Sequence, residues 1–69
     1  MSIEKSIDLT ATGGTIEEAV GAAVDRASLT LQGVSSFEIE RIDGLVKGDD
    51  ITYRVLVRVS FLIKEQLHE

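Results

Sequence analysis

The chain has 69 residues, a formal net charge of −5, and no cysteine, tryptophan or proline. A chain of this size buries only about 60 % of its unfolded surface, so its own core is marginal and usually needs a supplement. The absence of cysteine excludes disulfides and thiolate zinc sites, and the one histidine, His68, lies near the C-terminus, where chains usually fray, which argues against a structural metal. Subunit assembly remains, so we expect an oligomer.

Composition also limits the function classes. Acidic residues outnumber lysine and arginine by 12 to 7, and an acidic surface without a basic cluster repels phosphate backbones, so we expect no nucleic-acid partner. No apolar stretch approaches the ~20 residues of a membrane span, and the N-terminus does not have the pattern of a signal peptide. The chain has no internal histidine and no Ser-His-Asp set. We therefore expect a cytoplasmic, non-catalytic protein of one domain, residues 1–69.

The first element is a strand. Apolar and polar residues alternate over residues 3–11, which is typical of a strand with one buried face. Residues 12–15, Thr-Gly-Gly-Thr, then lead into a predicted helix, a geometry that can hold phosphate. The segment lacks the lysine of a P-loop and the third glycine of a dinucleotide fingerprint, so a turn with a capping threonine is the better interpretation.

A helix follows over residues 15–31. Thr15 is a suitable N-cap, with Glu18 three residues later, as in a capping box. The helix is expected to end at Gln32-Gly33, where glycine adopts the left-handed conformation easily. Most apolar residues of its stripe are alanine and valine, which predicts a close approach between helix and sheet.

Two further strands complete the chain. Phe37 and Ile39 belong to the second strand, with Phe37 expected in the core, but Ile42 is out of phase, which predicts a bulge or bend. Residues 47–50 predict a hairpin turn, and residues 51–63 alternate strictly as the third strand. The sequence thus predicts an α+β fold in the order β-α-β-β, a three-stranded antiparallel sheet with the helix on one face.

The opposite face of this sheet is expected to be mixed in character, large and uncovered, and to make subunit contacts or bind a ligand. It carries Glu38, Glu40, Thr52, Arg54, Leu56, Arg58 and Ser60. Two interpretations of Arg54 stay open. In the first, it forms an exposed or intersubunit ion pair with Glu38 or Glu40 of the neighbouring strand, so that these two carboxylates are the partners of Arg54 and Arg58. In the second, it clamps the phosphate or carboxylate of a ligand.

The joint spacing of several residues matches a known family. The matching residues are Asp25-Arg26-Ala27 and Thr30-Leu31 on the helix, Phe37-Glu38-Ile39, Ile42 and Gly44 on the second strand, and Tyr53, Val55, Val59, Ser60 and Phe61 on the third. With these residues, its length and its element order, the chain resembles the dodecins. That resemblance implies a protomer whose three-stranded antiparallel sheet wraps around one helix, assembled as a hollow homododecamer.

The resemblance also implies a ligand. Many dodecins bind flavins, riboflavin above all, and are regarded as storage proteins. In them, a tryptophan at the start of the second strand stacks on the isoalloxazine ring. A glutamine on the third strand forms hydrogen bonds with the pyrimidine edge of that ring. These positions fall on Ser36 and Arg54. The implied site for riboflavin or FMN is Ser36, Glu38 and Arg54. It is expected to be weak, because losing a ring that buries ~150–250 Å² costs several kcal/mol at ~25 cal/mol per Å². The alternative is a flavin-independent dodecin that binds calcium or other divalent cations, or is a bare shell.

Overall fold

Four elements account for the described part of the chain. The structure is a computed structural model that describes residues 2–64. The elements are β1 (Ser2–Gly13), α1 (Ile16–Thr30), β2 (Val34–Lys47) and β3 (Asp50–Lys64). The predicted order β-α-β-β is confirmed. His68 lies outside the described residues, so the interpretation of this histidine stays a prediction.

The longest strand, β3, is the centre of the sheet. It pairs antiparallel with β1 on one side and with β2 on the other. The β2–β3 hairpin closes with Lys47 opposite Asp50, across a two-residue turn in which Gly48 has a φ of +63°. Two-residue turns of this kind need positive φ, which glycine adopts without steric cost. The tight turn fixes the register of the whole hairpin.

Two bulges adjust that register along β2. The pairing shifts between Val34 and Ser36 and again between Ile39 and Arg41. The second shift confirms the predicted bulge. Ile39 lies opposite Val57 and Ile42 opposite Val55, so both isoleucines face the helix although they are three residues apart. The extra residue, Glu40, absorbs the change of phase.

Helix α1 has Thr15 as its N-cap, as predicted, and packs through its smallest residues. The backbone N–H of Glu18 donates to the Thr15 hydroxyl at 3.0 Å, which satisfies one of the donors left open at a helix start. The buried side chains between helix and sheet are Ala19, Ala23, Ala27, Val55, Val57 and Val59. The four-residue spacing puts the alanines on one face, and their size permits close contact with the valines of β3. No helix in residues 2–64 is long and apolar enough to cross a membrane.

The helix leaves one strand uncovered. It lies mainly over β1 and β3 and touches β2 least. Phe37 therefore faces the helix side of the sheet but remains 52 % exposed, so its predicted place in the core is wrong for the protomer. Ile42, at 47 %, is similarly exposed.

The protomer is also elongated. Its radius of gyration is 15.1 Å, whereas a compact domain of this length has about 11 Å. Its extents are 63 × 19 × 12 Å, because the strands are long and a single helix covers only part of them. Much apolar surface is consequently left without intramolecular contacts.

Gly33 and Gly48 provide a matched test of the fold. Both have positive φ, but a Cβ on Gly33 would lie 2.8 Å from the Leu62 carbonyl oxygen, whereas a Cβ on Gly48 would meet no atom within 4 Å. We expect Gly48→Ala to lower the free energy of unfolding by about 1–2 kcal/mol and Gly33→Ala by roughly 2–4 kcal/mol, since the clash adds to the backbone strain. Urea denaturation at equal protomer concentration measures both. Equal losses would contradict the close approach at Gly33.

Candidate functional site

The candidate site occupies the sheet face opposite the helix. Its side chains form rows across β1, β3 and β2, one row for every second residue. In order these are Ser6–Ser60–Ser36, Asp8–Arg58–Glu38, Thr10–Leu56–Arg41 and Thr12–Arg54–Asp43. Successive rows lie ~7 Å apart, because each residue of a strand advances about 3.3 Å. The first row consists of hydroxyl groups, the second and fourth contain oppositely charged side chains, and the third contains the one apolar residue, Leu56.

The three predicted ligand residues lie on this face but not together. Ser36 and Glu38 belong to neighbouring rows. Arg54 lies six residues along β3 from Ser60, the partner of Ser36, which is a distance of roughly 20 Å. A single protomer therefore does not bring Arg54 to Ser36. A small ligand that contacts both positions needs a second copy of the chain.

Arg54 binds a neighbour that sequence reasoning missed. Its Nε donates to Asp43 Oδ1 and its Nη2 to Asp43 Oδ2, both at 2.8 Å. Within one chain, the predicted pairing of Arg54 with Glu38 or Glu40 is wrong, because the hairpin register places Asp43 directly opposite Arg54. Counting back from the Lys47–Asp50 pair identifies Asp43, so the signal was present in the turn.

This pair fixes the charge of both groups. The hydrogen bonds from Arg54 lower the pKa of the Asp43 carboxyl, and the positive charges of Arg54 and Arg41 add to this effect, while desolvation opposes it. The same hydrogen bonds raise the pKa of Arg54. Both groups are ionised at neutral pH. The fork of Arg54 is already occupied by a carboxylate of its own chain.

Arg58 forms a second charged cluster. Its Nε donates to Asp8 Oδ1 at 3.1 Å, and its Nη2 lies 3.0 Å from Glu40 Oε2. The predicted partnership with Glu40 is confirmed. The hydrogen bond to Asp8 and the two carboxylate charges nearest to it raise the pKa of Arg58. Because Asp8 is on β1 and Glu40 on β2, Arg58 links both edge strands across β3.

A groove lies beside the Arg54–Asp43 pair. It has a volume of about 250 Å³ and is lined by Thr10, Arg41, Asp43, Arg54 and Leu56. Arg41 reaches Asp43 Oδ2 with Nη2 at 3.4 Å, and its side chain is 73 % exposed. The sequence pattern alone did not identify Thr10, Arg41 or Asp43.

A second concavity, apolar in character, lies between α1 and β2. Its volume is about 610 Å³, and it is lined mainly by Ile16, Val20, Val24, Phe37 and Ile39. Within residues 2–64, no three histidine, cysteine, aspartate or glutamate side chains are grouped so that they could hold a metal ion. The apolar concavity is on the helix side of the sheet, whereas the polar groove is on the opposite face.

Comparison with known proteins identifies the fold family. A sequence model of the Dodecin family matches residues 3–64. The chain belongs to the Dodecin family. The predicted resemblance to dodecins is confirmed, and the fold described above is the dodecin fold. A comparison with curated proteins finds no match.

Solved dodecin structures agree with this assignment. An arginine-to-alanine mutant of the Thermus thermophilus dodecin is 30 % identical, with a TM-score of 0.88 over 94 % of this chain and 100 % of that chain. The calcium dodecin of Mycobacterium tuberculosis, described as a calcium chelating immunodominant antigen, is 28 % identical, with a TM-score of 0.78 over 97 % and 99 %. The Streptomyces coelicolor dodecin, at 24 % identity, has a TM-score of 0.84 over 94 % and 96 %, which bears on the fold alone.

The Asp43–Arg54 pair predicts a pH dependence of stability. Because folding lowers the pKa of Asp43, the pair stabilises the fold above the ordinary aspartate pKa of about 3.9, and this contribution is lost as the pH falls through the lowered value. We expect Asp43→Asn to be less stable than the native chain at neutral pH and the difference to disappear in acid. Denaturation midpoints measured across this range test the expectation.

A double variant provides the control. Arg54→Gln removes the main cause of the lowered pKa of Asp43. Adding Asp43→Asn to Arg54→Gln should therefore change the pH dependence of stability much less than adding Asp43→Asn to the native chain does. A native-to-Asp43→Asn difference of the same size at neutral and strongly acidic pH would contradict the pairing.

Proposed function

We propose that this dodecin is a non-catalytic homododecamer that binds and stores a small ligand, with a flavin as the first candidate. The observation that carries the proposal is the Dodecin match across residues 3–64. Riboflavin and FMN are candidates by family analogy. The proposed site residues are Ser36, Glu38 and Arg54, contributed by more than one copy of the chain.

The uncovered apolar surface supports assembly. Phe37 and Ile39 lie beside the helix at the edge of the sheet, with 52 % and 37 % of their surface exposed. They line the concavity of about 610 Å³ between α1 and β2. Soluble monomers rarely leave large contiguous apolar patches in water, because removing such surface from water is favourable. A second copy of the chain on this concavity is the covering that a homo-oligomer supplies.

The open face supports a shared and weakened flavin site. Ser36 and Arg54 are roughly 20 Å apart in one protomer, so a ligand of flavin size reaches both only where two copies meet. Ser36 has no ring to stack on an isoalloxazine, and Arg54 already binds Asp43 through two nitrogens. We therefore propose weaker flavin binding than a site with tryptophan and glutamine would provide.

Calcium binding is the second candidate. The Mycobacterium tuberculosis relative is described as calcium chelating. Because residues 2–64 of one protomer hold no group of three candidate metal ligands, a calcium site in this chain would combine carboxylates from several copies. A bare shell without a ligand is the remaining alternative.

The assembly is tested by its mass. Twelve chains of 7.5 kDa give about 90 kDa. We expect this mass from size-exclusion chromatography with multi-angle light scattering at micromolar protomer concentration. A monomer or dimer under these conditions would reject the homododecamer.

The flavin site is tested by restoring a ring. We expect Ser36→Trp to strengthen riboflavin binding by about tenfold or more, because stacking and burial of an indole contribute several kcal/mol in a suitable pocket. Quenching of flavin fluorescence during titration measures the affinity. Ser28→Trp, on the exposed helix surface, is the control and should not change it.

The outcome also separates the alternatives. No gain from Ser36→Trp would reject the proposed position of the flavin ring. A native chain that leaves flavin fluorescence unchanged but binds calcium in a calorimetric titration would favour the second candidate.

A further inference from the structure

The groove on the open face has unequal walls. Thr10, Leu56 and Arg41 lie in one row across the three strands, and the Arg54–Asp43 pair lies in the next row. The groove between them contains an apolar side chain, a hydroxyl group, one carboxylate and two guanidinium groups. Its volume of about 250 Å³ is below the ~300–1,000 Å³ of pockets that enclose a drug-sized molecule. The groove thus suits one end of a ligand.

The local charge is positive in an acidic chain. Arg41 and Arg54 share the single carboxylate of Asp43, so the groove has one positive charge in excess, whereas the chain as a whole has a net charge of −5. In the row Asp8–Arg58–Glu38, next to the groove, Asp8 and Glu40 bind Arg58, and Glu38 lies opposite Arg58 rather than opposite Arg41 or Arg54. An anion is the group that would balance the excess charge.

The two arginines are not equivalent. Arg54 makes two hydrogen bonds of 2.8 Å to Asp43, while Arg41 makes one longer contact of 3.4 Å to an oxygen that Arg54 already uses. Arg41 is also 73 % exposed. Asp43 is therefore satisfied without Arg41. Arg41 can turn toward a ligand while the Arg54–Asp43 pair stays intact.

The donors around the groove fit an oxyanion. A guanidinium carries five N–H donors and no acceptor, and its fork matches the oxygens of phosphate and carboxylate groups. The pair with Asp43 uses Nε and Nη2 of Arg54 and leaves Nη1 outside it. The Thr10 hydroxyl adds a neutral donor on the opposite wall.

We propose that Arg41, assisted by Arg54 and Thr10, forms an anion subsite that takes the phosphate or carboxylate end of a small ligand. This inference rests on the proposed ligand-binding function and specifies the chemistry of the ligand. Asp43 holds Arg54 in place, and Arg41 is the mobile arm that closes on the anion.

The first experiment uses anions without a flavin. The assembled protein is titrated by calorimetry with inorganic pyrophosphate and with malonate at low ionic strength, where charge interactions are least screened. We expect saturable binding of at least one of the two anions, and the pair of probes distinguishes a phosphate from a carboxylate. Arg41→Gln should weaken it about tenfold or more, because charge-assisted hydrogen bonds are lost.

Arg26→Gln is the matched control. It removes the same charge from the exposed surface of the helix, outside the groove, and should leave the anion affinity unchanged. Absence of saturable binding for both anions, or equal affinities in the native chain and Arg41→Gln, would overturn the subsite.

A second titration separates this inference from the proposed flavin function. If a flavin is the ligand, FMN should bind about tenfold more tightly than riboflavin, and Arg41→Gln should abolish the difference. Anion binding without any flavin binding would support the subsite and reject the flavin. Equal binding of both flavins without anion binding would reject the subsite and leave flavin storage in place.

Discussion

The fold depends on close contact between three alanines of the helix and three valines of the central strand. Ala19, Ala23 and Ala27 have almost no exposed surface, and neither do the valines that they touch. Side chains this small let the helix lie close to the sheet, where it lies mainly over β1 and β3 and touches β2 least. The apolar side of β2 therefore remains largely exposed in the protomer. The same packing that stabilises the protomer thus leaves exposed the apolar surface on which the proposed assembly depends.

The bulges of β2 connect this core to the open face. Because Glu40 is an extra residue, Ile39 and Ile42 both point to the helix side. The bulge also brings Glu40 to Arg58, while Asp43 remains opposite Arg54. One inserted residue therefore keeps the apolar residues of β2 on the helix side. It also gives each of the two arginines of β3 its own carboxylate on β2. The ion pairs of the candidate site are a consequence of the strand register.

Most of the fold was predictable because it follows from local patterns. Alternation identified the strands, Thr15 identified the helix start, and the phase change before Ile42 identified the bulge. The position of Phe37 was not predictable, because a pattern of apolar residues gives the face of a strand but not which strands one helix covers. The partner of Arg54 required the register set by the turn. The role proposed for Arg41 could not be predicted from the sequence. Only the positions of the side chains show that Arg41 is a second arginine at a carboxylate that Arg54 already neutralises.

The hydrogen-bonding capacity of Arg54 bears on the kind of ligand that this dodecin can hold. The family resemblance places a glutamine there, and a glutamine amide offers both a donor and an acceptor to the pyrimidine edge of a flavin. A guanidinium offers donors only, so it cannot accept the N–H of that edge. Asp43 accepts hydrogen bonds from two of those donors and places a carboxylate beside the position. The remaining donors of Arg54, together with Arg41, match a group that has acceptors alone. An oxyanion has this property and a neutral flavin edge does not, so an arginine at this position favours the proposed ligand that carries a negative charge.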